Sequence, residues 1–195
     1  MPTPGKRDPA GRRAAILDAA AELICEAGAS CLTHRAVAAR AHVAVGSTTQ
    51  YFASIDDLRD EALQALADEN DEALAEVAGI LETLDGSGAV EETIARCAGI
   101  LHDFLADPRR VHASLAMTST AMTDPSLRTL ALQWSDQLTD LLAGRFGRPR
   151  AAAAVAYVDG LTVHAALHDG ATDTSSITAV LTALLAMPDT QEPTP

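Results

Sequence analysis

Hydrophobic positions fall at helical spacing along almost the whole chain. Ile16, Ala20, Leu23, Ile24 and Ala27 share one face of a helix that Asp8-Pro9 can open and Gly28 ends. Thr33 is a natural N-cap for a short second helix that turns Val37, Ala38 and Ala41 inward. After a break at His42-Val43-Ala44, a third short helix runs from Gly46 through Phe52. Ser54 opens a long helix with acidic Asp56 and Asp57 in its first turn. Its buried side is Leu63, Leu66, Leu74, Val77, Leu81 and Leu84, and Asp85-Gly86-Ser87-Gly88 stops it. Val90, Ile94, Cys97, Leu101 and Phe104 form the next stripe. Asp107-Pro108 and Asp124-Pro125 each pair a capping carboxylate with a helix-starting proline. Gly147-Arg148-Pro149 is a further break. Two closing helices, about 150–168 and 174–187, are apolar on more than one face, which implies contact with two things.

About a fifth of the residues are alanine, and no stretch alternates with period 2. The chain is therefore read as all-α. Residues 1–8 form a flexible basic arm, 9–53 a first domain, 54–187 a larger helical domain and 188–195 a disordered tail.

Of the 195 residues 48% are hydrophobic, 21% charged and 3% aromatic, so the core is aliphatic. This composition excludes wholesale disorder. Three cysteines exclude a disulfide scaffold. No apolar run approaches the roughly 20 residues of a membrane span. Asp18, Glu22 and Glu26 interrupt any secretory leader. A soluble cytoplasmic protein with no membrane partner is expected. The net charge of −13 is uneven: residues 1–52 carry +2 and the remainder −15. Either a few arginines fall there by chance, or a basic head meets a polyanion.

Residues 33–52 have the layout of a helix-turn-helix, two short helices buttressed by a first, in which the last helix enters the DNA major groove. An ordinary helical hairpin fits the periodicity as well. The run Ile16-Leu17-Asp18-Ala19-Ala20, Leu23, Glu26-Ala27-Gly28, Leu32-Thr33, Arg35-Ala36-Val37-Ala38, Ala41, Val43, Gly46-Ser47-Thr48 and Tyr51-Phe52 resembles the DNA-binding head of the TetR (tetracycline-repressor-like) family. The similarity spans about residues 12–66. Beyond it the chain resembles that family in helix count and in Tyr157-Val158-Asp159-Gly160-Leu161. The resemblance implies an N-terminal helix-turn-helix domain and a C-terminal helical ligand-binding and dimerisation domain. It implies a homodimer that binds double-stranded DNA at a pseudo-palindromic operator, usually as a repressor, under control of a small-molecule effector.

Residue chemistry agrees. Thr33 can meet a phosphate at a helix start, and Gly46 lets the backbone approach the duplex. Ser47, Thr48, Thr49 and Gln50 are polar groups at the front of the recognition helix, where glutamine can pair with adenine. Arg35 and Tyr51 complete the expected surface, and Lys6, Arg7, Arg12 and Arg13 can reach phosphates or the minor groove. Phe52 packs the recognition helix on the first helix. By the same resemblance, His42 occupies the usual turn glycine, Ala44 the usual Ser/Thr cap, Thr49 a common tyrosine and Ile55 the usual lysine. Those departures motivate an alternative: a helical dimerisation or adaptor protein that has lost DNA binding.

The middle helices are the expected effector pocket, with candidates Cys97, Leu101, Phe104, Leu115 and Met117, and Thr118, Met122, Trp134 and Leu138; ordinary core is the competing reading for each. Such a lining suits a hydrophobic or amphipathic ligand. The dimer is expected through Tyr157, Leu161, His164, Ile177, Val180, Leu181 and Leu184. No cofactor or metal is expected: His164 and His168, four apart, lack a supporting ligand motif and read as an interface or part-exposed pair. Cys25 and Cys31 read as separate thiols. With no nucleophile elbow, phosphate loop or dinucleotide fingerprint, an enzyme is not expected.

Overall fold

The computed structural model describes residues 8–69, 71–82, 90–168 and 170–188. The arm before Asp8, the stop at 85–88 and the tail beyond Pro188 lie outside the described residues. Ten α-helices and no strand occur among those described. The chain forms two compact units that divide between Leu66 and Ala67.

The first unit holds α1 (Pro9–Ala27), α2 (His34–Arg40), α3 (Val45–Tyr51) and most of α4 (Ile55–Asp68). Asp8 caps α1, its carboxylate accepting from the Gly11 N–H at 3.0 Å. Gly28 ends α1 at φ 81°, a left-handed value that glycine adopts without strain. Ile16, Ala20 and Ile24 are fully buried on one face of α1, with Val37 and Ala38 of α2 beneath. Leu58, Ala62 and Leu63 are equally buried, so the first turns of α4 belong to this core.

The expected long helix from residue 54 to 84 is two helices, α4 and α5 (Asp71–Glu82). The reason lies in Asp68-Glu69-Asn70-Asp71. Asp and Asn are poor interior helix residues, whereas an acidic side chain is stabilising at a helix start, where Asp71 stands. Glu69 is also drawn to Arg109, whose guanidinium donates to both carboxylate oxygens.

The second unit contains α5, α6 (Val90–Leu105), α7 (Pro108–Thr123), α8 (Arg128–Phe146), α9 (Arg148–Leu167) and α10 (Thr174–Leu185). Asp107 and Asp124 cap as the sequence suggests, although Asp124-Pro125 opens a single 3-10 turn before α8. Gly147, at φ 83°, separates α8 from α9. Asp173 caps α10; hydrogen bonds from Ser175 and Ser176 hold its carboxyl well below the usual range. Ile94, Ala98 and Leu101 of α6 pack with Ala154, Val158 and Leu161 of α9 and with Ile177, Leu181 and Leu185 of α10. That three-helix core fixes which apolar face of each closing helix points inward.

Candidate nucleic-acid interface and effector cavity

The turn between α2 and α3 forms a helix-turn-helix. Thr33 caps α2 through its Oγ1, which accepts from the Ala36 N–H at 3.1 Å, and its hydroxyl proton can still be donated. His42 takes the left-handed turn at φ 54°. Ala44 has the extended backbone of an N-cap but no side chain to fill the role.

On α3, Gly46, Thr49 and Gln50 are exposed, and Ser47 and Tyr51 are half-buried. Thr48 is not on this surface. It is fully buried, with Oγ1 donating to the Val45 carbonyl at 2.7 Å. Thr48 and Phe52 are four apart and share the inner face, so the expectation that Thr48 reads a base is withdrawn. The outer face instead includes Val45, 48% exposed at the first position of α3. Val45 carries no polar group, so nothing in its own chemistry marks it in the sequence as part of that outer face.

The basic residues divide into free and engaged. Arg13 stacks on Phe52, 4.8 Å from the ring centroid, and hydrogen-bonds Glu61. Its guanidinium is thus committed inside the head rather than to phosphate. Arg40 bridges α2 to α1 through Glu26 at 2.5 Å and Glu22 at 3.0 Å. The hydrogen bond from Arg40 lowers the Glu26 carboxyl, and the two carboxylates raise the guanidinium further. Arg12 and Arg35 are exposed and form no ion pair among the described residues. Lys6 and Arg7 lie outside those residues.

The second unit holds an apolar pocket, partly open to solvent, between α5, α6, α7, α8, α9 and α10. Cys97, Leu101, Phe104, Trp134 and Leu138 of the expected set line it. Burial pushes the Cys97 thiol up to about 11, with the neighbouring Arg96 charge opposing. Met117 and Thr118 line a smaller adjoining chamber, which shares Phe104 and Trp134 with the main one. Leu115 and Met122 line neither chamber; they border an open groove, and Met122 is 76% exposed. They lie on a different face of α7 from Met117, a distinction that an apolar stripe does not reveal.

Three of the expected dimer residues are internal. Leu161, Ile177 and Leu181 belong to the core between α6, α9 and α10, so they cannot meet a second subunit without unfolding the first. Tyr157 packs against that core, and burial raises its phenol. Leu184 is half-buried, while His164 and Val180 are exposed. The outward faces of α9 and α10 carry Val163, Leu167, Val180 and, just beyond α10, Met187. His164 and His168 stack there, with centroids 4.0 Å apart. Among the described residues no group of three or more His, Cys, Asp or Glu could hold a metal ion, and no helix is long and apolar enough to cross a membrane.

A helix-turn-helix head followed by a helical unit with its own cavity defines a class, the one-component DNA-binding regulators. The head matches the sequence model of bacterial regulatory proteins of the tetR family over residues 16–62. The second unit matches the tetracyclin repressor-like C-terminal domain over 88–187. A TetR-family member from Streptomyces coelicolor A3 is 32% identical, covering 90% of this chain and 99% of that one, with a TM-score of 0.77. The multidrug binding protein EbrR complexed with imidazole is 34% identical, covering 93% and 98%, with a TM-score of 0.70. EbrR complexed with malachite green gives 31%, 90%, 99% and 0.69. No curated protein matches the chain. The chain belongs to the TetR family of transcriptional regulators, and its head is that family's DNA-binding helix-turn-helix.

Proposed function

We propose that the protein is a homodimeric, operator-specific repressor, released from DNA by a small apolar or amphipathic ligand held in the cavity of the second unit. The outer face of α3 carries this reading. Val45, Gly46, Thr49 and Gln50 are presented to solvent while Thr48 and Phe52 anchor the opposite face. A thymine methyl suits Val45 and an adenine edge suits Gln50. Thr33, Arg35, Tyr51 and Arg12 supply phosphate-binding groups to that head, and by sequence Lys6 and Arg7 add two further cations ahead of α1. The exposed apolar stripe of α9 and α10 supports a two-fold dimer, and two recognition helices then read half-sites roughly 34–36 Å apart.

The cavity supports the effector role, and EbrR, complexed with imidazole, malachite green, proflavin and ethidium, sets a precedent among relatives. Effector and operator must oppose each other by the same factor, because the coupling is reciprocal. The test is selection of operator sequences from random duplexes with the purified protein, repeated at several salt concentrations and with a panel of small metabolites. A single pseudo-palindrome, bound with a steep salt dependence and released by one ligand class, is the expected result. Absence of binding to any duplex at low salt would leave a dimerisation module instead.

A further inference from the structure

The pocket of the second unit is apolar almost throughout, and its few exceptions bear on the charge of its ligand. Leu101, Phe104, Trp134, Leu138 and Leu181 are typical of its wall. The Thr93 hydroxyl is neutral, and burial keeps the Cys97 thiol protonated. No carboxylate lines the wall, and its one charged residue is Arg110. A cation entering here would give up hydration beside a like charge, with no countercharge to meet it.

Arg110 also differs from its neighbours in having no carboxylate partner. Arg109, beside it, is taken up by Glu69, to which its guanidinium donates twice. Asp107 turns its carboxylate to the backbone N–H groups of Arg109 and Arg110, at 2.9 and 3.4 Å, as the cap of α7. The Arg110 guanidinium forms no ion pair or side-chain hydrogen bond among the described residues. Its contact is the Phe104 ring, 5.0 Å from the centroid. Stacking occupies the face of a guanidinium and leaves its N–H edge for an acceptor. The side chain is half-buried, so the charge loses part of its hydration without gaining a partner. A carboxylate carried on an apolar body in the pocket would supply that partner, in the planar two-bond geometry that arginine favours.

We propose that the effector is an amphipathic anion, its apolar body seated in this pocket and its carboxylate held by Arg110. This rests on the effector-pocket reading above and gives it a charge class.

Trp134 is the one tryptophan of the chain and lines the pocket, so its fluorescence reports occupancy. Full-length protein is titrated at neutral pH with decanoate, decyltrimethylammonium and decanol, each below the concentration at which it aggregates. The three share one alkyl chain and carry a negative, a positive and no charge. The protein has a net charge of −13, so non-specific attraction favours the cation, and a preference for the anion requires a local contact. Decanoate is expected to bind about tenfold or more tighter than either other probe, the scale of one charge-assisted contact. Arg110→Gln should abolish that preference and leave decanol binding unchanged, whereas Arg110→Lys should keep decanoate ahead of decyltrimethylammonium. Arg128→Gln removes the same charge from an exposed residue that borders the open groove and not this pocket, and it should alter nothing. Decanoate binding no tighter than decanol overturns the assignment, as does a preference that survives Arg110→Gln or is lost equally in Arg128→Gln. In each of those cases the binding of decanol leaves the pocket reading in place and the charge class wrong. If none of the three probes perturbs Trp134, the effector-pocket reading falls and this proposal falls with it.

Discussion

The guanidinium of Arg13 lies over the ring of Phe52, 4.8 Å from its centroid, and at the same time hydrogen-bonds Glu61. One side chain of α1 thus holds the end of the recognition helix and the first turns of α4 together. Arginine suits this role because its planar cation can stack on a ring and donate at its edge.

This arrangement separates Arg13 from its neighbour Arg12. Arg13→Ala should lower the melting temperature of the protein, since a part-exposed stacked contact contributes about 0.5–1 kcal/mol. Arg12→Ala should leave the melting temperature unchanged and reduce the salt slope of DNA binding by about one unit. Thermal melts and salt titrations of both variants distinguish the roles. A lower salt slope for Arg13→Ala at unchanged stability would return that side chain to the DNA.

Thr48 and Gln50 should differ in a similar way. Gln50→Ala is expected to relax base preference by about 1–3 kcal/mol at one half-site position. Thr48→Val removes a buried hydroxyl that donates at 2.7 Å and should destabilise the head without changing which sequence is preferred. Competition binding against operators mutated one position at a time reads both effects. Altered preference in Thr48→Val with wild-type stability would contradict the buried placement.

Ala44 offers a gain. Its backbone, at φ −67° and ψ 144°, already has N-cap geometry, so serine fits without strain. Ala44→Ser should stabilise α3 by about 0.5–2 kcal/mol by satisfying one of its free N–H groups. Chemical denaturation measures this, and a variant no more stable than wild type would mean that the turn at His42 holds the cap in another geometry.

The head was legible in the sequence because its signals are local. Asp8, Gly28 and Thr33 mark helix ends by chemistry that involves residues three or four apart. The second unit was less legible because its alternatives are settled by packing. Both faces of α10 are apolar, and only docking against α6 decides that Ile177 and Leu181 turn inward and Val180 outward. The break between α4 and α5 was missed because the leucine stripe continues across it. Thr48 was misplaced because threonine is compatible with either face of a helix.

The cysteines give a test of the cavity that needs no ligand. Cys31 is exposed, Cys25 buried and Cys97 half-buried in the cavity wall. With its thiol near 11, Cys97 is about one part in a thousand thiolate at pH 8, and the thiolate is the reactive form. A disulfide reagent at pH 8 should therefore modify Cys31 first and Cys97 slowly, with the Cys97 rate rising as pH climbs through 10. Mass mapping of the labelled residue checks the order. Rapid labelling of Cys97 at pH 8 would show an open, hydrated wall.

The last prediction concerns the dimer. Val163 and Leu167 stand on the outer face of α9, 47% and 76% exposed, four residues apart and beside the stacked His164 and His168. A second copy related by a two-fold axis would cover both. Val163→Glu and Leu167→Glu place a charge where that copy must pack, and an uncompensated charge in a closed interface costs about 3–5 kcal/mol. Each isolated subunit keeps its fold, since neither side chain takes part in its core. Sedimentation should show monomers with an unchanged helical circular-dichroism spectrum, and operator affinity should fall steeply because the two half-sites are no longer bound together. Leu181→Glu should behave differently: it buries the charge between α6, α9 and α10 and unfolds the second unit rather than dissociating it. A folded monomer from Leu181→Glu, or intact dimers from both α9 variants, would place the interface on another face of the molecule.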